Sequence, residues 1–260
     1  KNYYFSKFQF DNSYFCLQYQ KKELGYFRVI DRNEEGIWIE DIYIIDKSKT
    51  NEILNFIYSY FSELIDSTKE IFILIEKAYL KRVEFDFLEY LQVSHKMGKK
   101  IKNIKNIQAS LIDFNLRNVT KNDVKALAHL LELSYYHKLN NSRKTFIERD
   151  IFQTFNNKYG KMLFENSWVI QNEKGELCAA VLVVIRDGNP FILHLATLPK
   201  YRRRGIGKSL LLETERSILN KNFDSITFYV RSNNIEAVNF YRTLGYEFIY
   251  MNLVSFRFKR

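Results

Sequence analysis

Pro199-Lys-Tyr-Arg202-Arg-Arg-Gly205-Ile-Gly207-Lys208 and, downstream, Asn234-Ile-Glu-Ala237-Val-Asn-Phe-Tyr241-Arg-Thr-Leu-Gly245 are the stretches whose reading decides the fold. The first lies between an apolar run, Phe191–Leu198, and an amphipathic one, Ile206–Leu219, so it joins an expected strand to an expected helix. Glycines there let the backbone turn tightly and approach a ligand with no Cβ in the way, and the free amides of the first helical turn point outward. The helix dipole adds partial positive charge at the same place. Five cations between Lys200 and Lys208 add more. This is the chemistry of a pyrophosphate cradle.

Working outward, Ser225–Arg231 reads as an apolar strand and Asn234–Leu244 as a helix closed by Gly245. Upstream, Ser167–Gln171 and Leu177–Arg186 pair across Glu173-Lys-Gly175, and Asp187-Gly188 turns into Phe191–Leu198, giving three antiparallel strands. Phe114–Arg117 is a short strand. Thr120-Lys-Asn-Asp123 resembles a capping box opening a helix through about Leu133, and a further helix runs from Ser142 to Phe155. In the first hundred residues Tyr26–Asp46 is expected to be a hairpin turning at Asn33-Glu-Glu-Gly36. Asn51–Ile65 follows as a helix, Glu70–Glu76 as a strand, and the spacing of Val83, Phe87, Leu88 and Leu91 predicts a helix ending near Gly98. The chain ends in Phe248–Phe258, a hairpin-like run. The order hairpin, helix, strand, helix in Tyr26–Gly98 recurs in Leu177–Gly245, which suggests an internal repeat. The lysine-rich stretch Lys96–Lys105 separates the halves, giving units of 1–105 and 106–260. The expected class is α/β, a mixed and mostly antiparallel sheet flanked by helices.

A chain of 260 residues with 46% hydrophobic and 27% charged residues is expected to be globular, and no window approaches the roughly 20 apolar residues of a membrane span. The N-terminus lacks the apolar core of a signal peptide, so a cytoplasmic location with no membrane partner is expected. Cys16 and Cys178 stand far apart without metal-ligand spacing, so neither a disulfide framework nor a metal site is expected. The net charge of +10 invites a nucleic-acid reading, but the charge is spread along the whole chain, and specific nucleic-acid binding is the weaker expectation.

Two glycine-motif families do not fit. A dinucleotide-binding turn needs Gly or Ala where Leu210 stands, and a P-loop needs Gly where Arg202 stands. The stretch Leu195–Gly245 instead resembles the GNAT N-acetyltransferase superfamily, whose signature of Arg or Gln, two residues, Gly, one residue, and Gly or Ala is met by Arg202-Arg-Arg-Gly205-Ile-Gly207. Asn234, Ala237, Tyr241 and Leu244-Gly245-Tyr246 match its second motif, and the resemblance extends over about Leu116–Tyr250.

The resemblance implies a GNAT fold, probed twice by the internal repeat as two tandem GNAT-like domains, with acetyl-CoA as co-substrate and a primary amine of unidentified kind as acceptor. It implies that Leu195, Ala196 and Thr197 offer backbone groups to the pantetheine arm, that Arg202, Arg203, Arg204, Gly205, Ile206, Gly207 and Lys208 cradle the pyrophosphate, and that Asn234 contacts the cofactor arm. Tyr241 would be the general acid that protonates the departing thiolate. The family's usual base positions, on the face shared with Leu195 and Thr197, are the apolar Phe191 and Leu193, and the position on the next strand is Tyr229. His194 falls on the opposite face unless a bulge intervenes, and is expected to be structural. Cys178 has no identifiable His partner, which disfavours a cysteine nucleophile. In the first half the loop Asp46-Lys-Ser-Lys-Thr50 has no glycine, so that half is expected to be a degenerate copy. The alternative is a non-catalytic acyl-CoA-binding sensor, motivated by the missing base.

Overall fold

The computed structural model describes residues 3–7, 14–31, 36–64, 70–80, 88–101, 114–136 and 141–258. In chain order its elements are β1 (Tyr3–Lys7), β2 (Tyr14–Tyr19), β3 (Lys22–Asp31), β4 (Ile37–Ile44), α1 (Thr50–Leu64), β5 (Ile71–Glu76), β6 (Leu88–Lys100), β7 (Asn115–Asn118), α2 (Val124–Tyr136), α3 (Asn141–Phe155), β8 (Lys161–Met162), β9 (Trp168–Gln171), β10 (Leu177–Arg186), β11 (Asn189–Thr197), α4 (Ile206–Leu219), β12 (Ser225–Arg231), α5 (Ile235–Thr243) and β13 (Glu247–Phe258). The chain divides into two compact units. One is Lys1–Lys96 with Val230–Val238 and Phe248–Arg260, and the other is Met97–Tyr229 with Asn239–Glu247. The expected turn at 33–35 and the expected boundary at 105/106 fall outside the described residues.

In the first unit the strands run in the order β1-β2-β3-β4-β5-β13-β6. The β4–β5 pair is parallel, and β5–β13 is antiparallel. Helix α1 buries Ile53, Leu54, Ile57 and Phe61 against the sheet residues Phe27, Ile39 and Ile73, which is the stripe its three-and-four spacing predicts. Two expectations are corrected here. The helix expected to end near Gly98 is, over its described part, strand β6. Four apolar residues are a thin helical signal, and backbone pairing outweighs it, with the Ser232 N–H bonded to the Val93 carbonyl at 3.1 Å. The terminal run is one long strand and not a hairpin, since the left-handed Asn252 (φ 51°) within it does not reverse the chain.

In the second unit the order is β12-β11-β10-β9-β7, with β8 beside β10. Residues 177–184 of β10 are all buried, since α2 and α4 both pack on this strand, and a strand covered on both faces reads as a continuous apolar run. Strand β11 pairs antiparallel with β10 and parallel with β12. The repeated order hairpin, helix, parallel strand is therefore present as β3-β4-α1-β5 and β10-β11-α4-β12. A further likeness is invisible in the sequence, because the second strand of each hairpin carries a bulge. In β4 it lies between the pairs Tyr26↔Tyr43 and Arg28↔Glu40, where Asp41 has φ 52°, and in β11 it lies between Val183↔Ile192 and Leu182↔His194. Among the described residues no helix is long and apolar enough to cross a membrane.

The predicted capping box forms at Thr120-Lys-Asn-Asp123. The Asp123 carboxylate accepts from the Thr120 backbone N–H (2.7 Å) and hydroxyl (3.0 Å), and from both terminal nitrogens of Arg117 (2.7 and 2.9 Å). Burial by itself would raise this carboxyl, but the Arg117 and Thr120 bonds outweigh it and hold it below the usual carboxylate range. A depressed folded-state value means that the stabilisation is complete above the unfolded aspartate value of about 3.9 and is lost as pH falls through the folded one. Asp123→Asn should therefore cost about 1–3 kcal/mol at pH 7. Its urea midpoint should converge with that of the parent protein below pH 4.

Candidate functional site

The loop read as a cradle lies where β11 hands the chain to α4. A single 3₁₀ turn, Pro199–Tyr201, leads into a loop in which Arg203 (φ 61°) and Gly205 (φ 78°) both take the left-handed conformation. Gly205 caps α4, which has no acidic residue in its first turn. The amides of Ile206, Gly207 and Lys208 precede the first i→i−4 bond, donated by Ser209 to the Gly205 carbonyl at 3.0 Å, and so stay available at the positive end of the helix.

The two glycines do different work. A Cβ built on Gly205 would meet nothing within 4 Å, so this side of the turn is open space. One on Gly207 would reach the Phe240 ring at 3.4 Å and the Thr197 hydroxyl oxygen at 3.8 Å, so Gly207 lets α4 pack closely on α5 and β11. The cations divide as well. Arg202 donates to the Thr197 carbonyl (3.2 Å) and to the Ser134 carbonyl at the end of α2 (2.8 Å), and so braces the loop. Arg204 lies over the rings of Phe114 (5.2 Å) and Tyr201 (5.9 Å).

Beside the loop, β11 has an open edge. Its register with β12 is a single pair, Phe191↔Thr227, and among the described residues no ladder pair joins the strands beyond it. Two parallel strands that part in this way leave the backbone groups of the intervening stretch, which includes Leu195 and Thr197, without a partner strand. Leu195 pairs with Val181 and Thr197 with Ala179, on the face of β10 and β11 that α4 covers.

The bulge at Leu193 changes which residues share a face. The sequence places Phe191, Leu193, Leu195 and Thr197 together, but the extra residue reverses the alternation. Phe191 therefore lies with His194 and Ala196 on the face carrying α2 and α3, and Ile192 lies with Leu195 and Thr197. His194 is opposite Leu195, as expected, with Tyr135 of α2 and Asp150 of α3 beside it. Asp150 was not identified from the sequence, because nothing local marks one acidic residue on a mixed helix surface.

Tyr241 lies on α5, whose N-terminal cap is Asn234, the side-chain oxygen of which accepts from the Ala237 N–H at 3.2 Å. The Tyr241 ring packs on Phe228 (centroids 4.1 Å apart), Phe240 (5.4 Å) and Tyr246 (5.8 Å). The side chain is 8% exposed, and burial pushes its phenol well above the ordinary tyrosine value. Such a phenol keeps its proton at neutral pH and has it available to donate. Behind this cluster Glu215 is buried. It accepts from Lys99 Nζ at 2.8 and 3.0 Å and from the Tyr246 hydroxyl at 2.9 Å.

Comparison with known proteins agrees with this geometry. A family model described as the acetyltransferase (GNAT) family matches residues 126–246. The chain is 28% identical over 136 residues to the probable N-acetyltransferase san of Drosophila melanogaster, covering 52% of this chain and 68% of that protein. Among solved structures, a GCN5-related N-acetyltransferase from Sphaerobacter thermophilus superposes with a TM-score of 0.63 at 14% identity, over 96% of this chain and 81% of that one. A tandem GNAT protein from the clavulanic acid biosynthesis pathway superposes with a TM-score of 0.59 at 11% identity, over 94% and 81%. The fold likeness thus spans nearly the whole chain, and residues 126–246 match the model of the GNAT acetyltransferase family.

Proposed function

We propose that this protein transfers an acetyl group from acetyl-CoA to a primary amine by direct attack. The observation that carries this is the open, left-handed Gly205 turn at the start of α4, set beside the unpaired edge of β11. A pyrophosphate fits the first through backbone amides, with Arg203 and Lys208 supplying charge. A pantetheine arm fits the second, adding to β11 through its amides as a further strand would. Acetyl-CoA supplies an acyl group activated as a thioester. The chain's residues hold the two reactants together, and Tyr241 gives its proton to the sulfur as it leaves. Arg202 keeps the loop in shape. In this reading 1–105 is a GNAT-like half that has lost donor binding, supported by the glycine-free loop Asp46–Thr50 after its bulged strand. The location is cytoplasmic, supported by two free, buried cysteines.

The test is thermal unfolding with and without acetyl-CoA. A ligand held only by the native state at a hundredfold excess over its Kd stabilises by about 2.7 kcal/mol, so wild type should melt several degrees higher. Gly205→Glu should abolish the shift, because it places a carboxylate where the pyrophosphate lies. Gly205→Asn, whose side chain tolerates the left-handed conformation, should retain most of it. An unchanged wild-type melt at saturating acetyl-CoA would reject the donor assignment. A shift without turnover in a mixed amine screen would point to a binding protein.

A further inference from the structure

His194 sits on β11 immediately after the bulged Leu193, on the α2 and α3 face. Its side chain is 19% exposed, with Nε2 at 4.0 Å from Asp150 Oδ2 and Nδ1 at 3.5 Å from the Tyr135 hydroxyl. Asp150 also accepts a hydrogen bond from the Tyr159 hydroxyl. Tyr135 lies at the exposed end of α2, so a path from solvent to the imidazole runs through its phenol. The bulge puts His194 on the same face as Phe191, the last residue at which β11 and β12 are paired, so the imidazole stands next to the point where the open edge begins.

We propose that His194, backed by Asp150 and reached through the Tyr135 hydroxyl, accepts the proton that the acceptor ammonium must lose before it attacks. This rests on the acyl-transfer reading and adds the base that reading lacks. The ammonium N–H bond breaks and its proton passes to the Tyr135 oxygen, while the Tyr135 proton passes to Nδ1. The lone pair left on nitrogen forms the N–C bond, the C–S pair leaves with sulfur, and sulfur takes the Tyr241 proton. Once bonded to the carbonyl carbon, the nitrogen carries a positive charge and loses its second proton to buffer, while the imidazolium returns the first to Tyr241 through solvent, so that ammonium and acetyl-CoA give amide, CoA thiol and one released proton.

Both distances are long for hydrogen bonds, as catalytic contacts often are before substrate closes the site. Burial lowers the imidazole from its ordinary value and Asp150 opposes that, so the ring is neutral, and able to accept, at neutral pH. Arg186 and Tyr229 lie against the Phe191 ring, at 4.6 and 5.6 Å. Beside the imidazole stand Asp150, with Tyr159 on it, and Tyr135. Asp150 is a positioning residue, since it acts only through His194.

The test compares two amines at pH 7 with acetyl-CoA in excess. Benzylamine is protonated there and needs a base, whereas hydroxylamine is already neutral. His194→Gln should lower kcat/KM for benzylamine about 10²-fold and leave that for hydroxylamine near wild type. The deficit should shrink as pH rises and benzylamine loses its own proton. Asp150→Asn should give a smaller contrast of the same kind and move the acid limb of the benzylamine profile to lower pH, and it carries the test if His194→Gln does not fold. Equal losses for the two amines, no loss, or no transfer to either amine by wild type would overturn the assignment. Acetyl-CoA stabilisation should persist in both variants, so a failed contrast with stabilisation intact overturns this base alone and not the donor site.

Discussion

Tyr241→Phe is expected to lower kcat about 10²-fold or more while leaving acetyl-CoA stabilisation and the unligated melting temperature close to wild type. The substitution removes one hydroxyl and keeps the ring that packs on Phe228, Phe240 and Tyr246, so a lost rate cannot be assigned to a lost core. The raised Tyr241 value sets the pH behaviour. The phenol is a donor wherever it is protonated, and burial moves its ionisation above the ordinary tyrosine range, so it should contribute no basic limb below about pH 10. A variant as fast as wild type would leave Tyr241 as packing only. A variant that is slow and also unable to bind acetyl-CoA would assign the hydroxyl to binding.

The largest stability effect is expected at Glu215→Ala. Glu215 is 1% exposed and accepts hydrogen bonds from the Lys99 ammonium at both its oxygens and from the Tyr246 hydroxyl. Removing it strands a half-buried cation and a buried phenol together, which costs about 3–5 kcal/mol. That is a large share of the 5–15 kcal/mol by which a domain is stable, and corresponds to about 10 °C in Tm. Tyr246→Phe should cost less, about 1–2 kcal/mol, since it leaves the ion pair intact. Replacing Lys99 by Met and Glu215 by Leu together should recover most of the loss, because no charge is then left unpartnered. A double variant no better than Glu215→Ala would mean that the shape of the network, and not its charge, holds α4 to β6.

The elements of 126–246 were legible because their signals are local. Helix α4 and strand β12 have the bounds that periodicity predicts, and Thr120 and Asp123 announce α2. What escaped depends on partners far away in the chain. Ile192 and Leu193 are both apolar, so nothing in the sequence marks the extra residue that turns Phe191 to the face of His194. The helical signal before Gly98 was local and weak, and pairing with residues more than a hundred positions later decided for a strand. The bonds of Arg202 were equally hidden. Its place in the motif suggests an anion ligand, and the structure adds bonds to two carbonyls, one of them 68 residues away.

That guanidinium also joins two distant parts of the chain. Ser134, whose carbonyl Arg202 holds, directly precedes Tyr135, and Thr197, whose carbonyl it also holds, ends the open strand. One planar group therefore ties the strand along which the donor would lie to the helix end that would meet the acceptor. Losing that guanidinium would free both carbonyls at once, so a single substitution at Arg202 reaches the end of β11 and the end of α2 together.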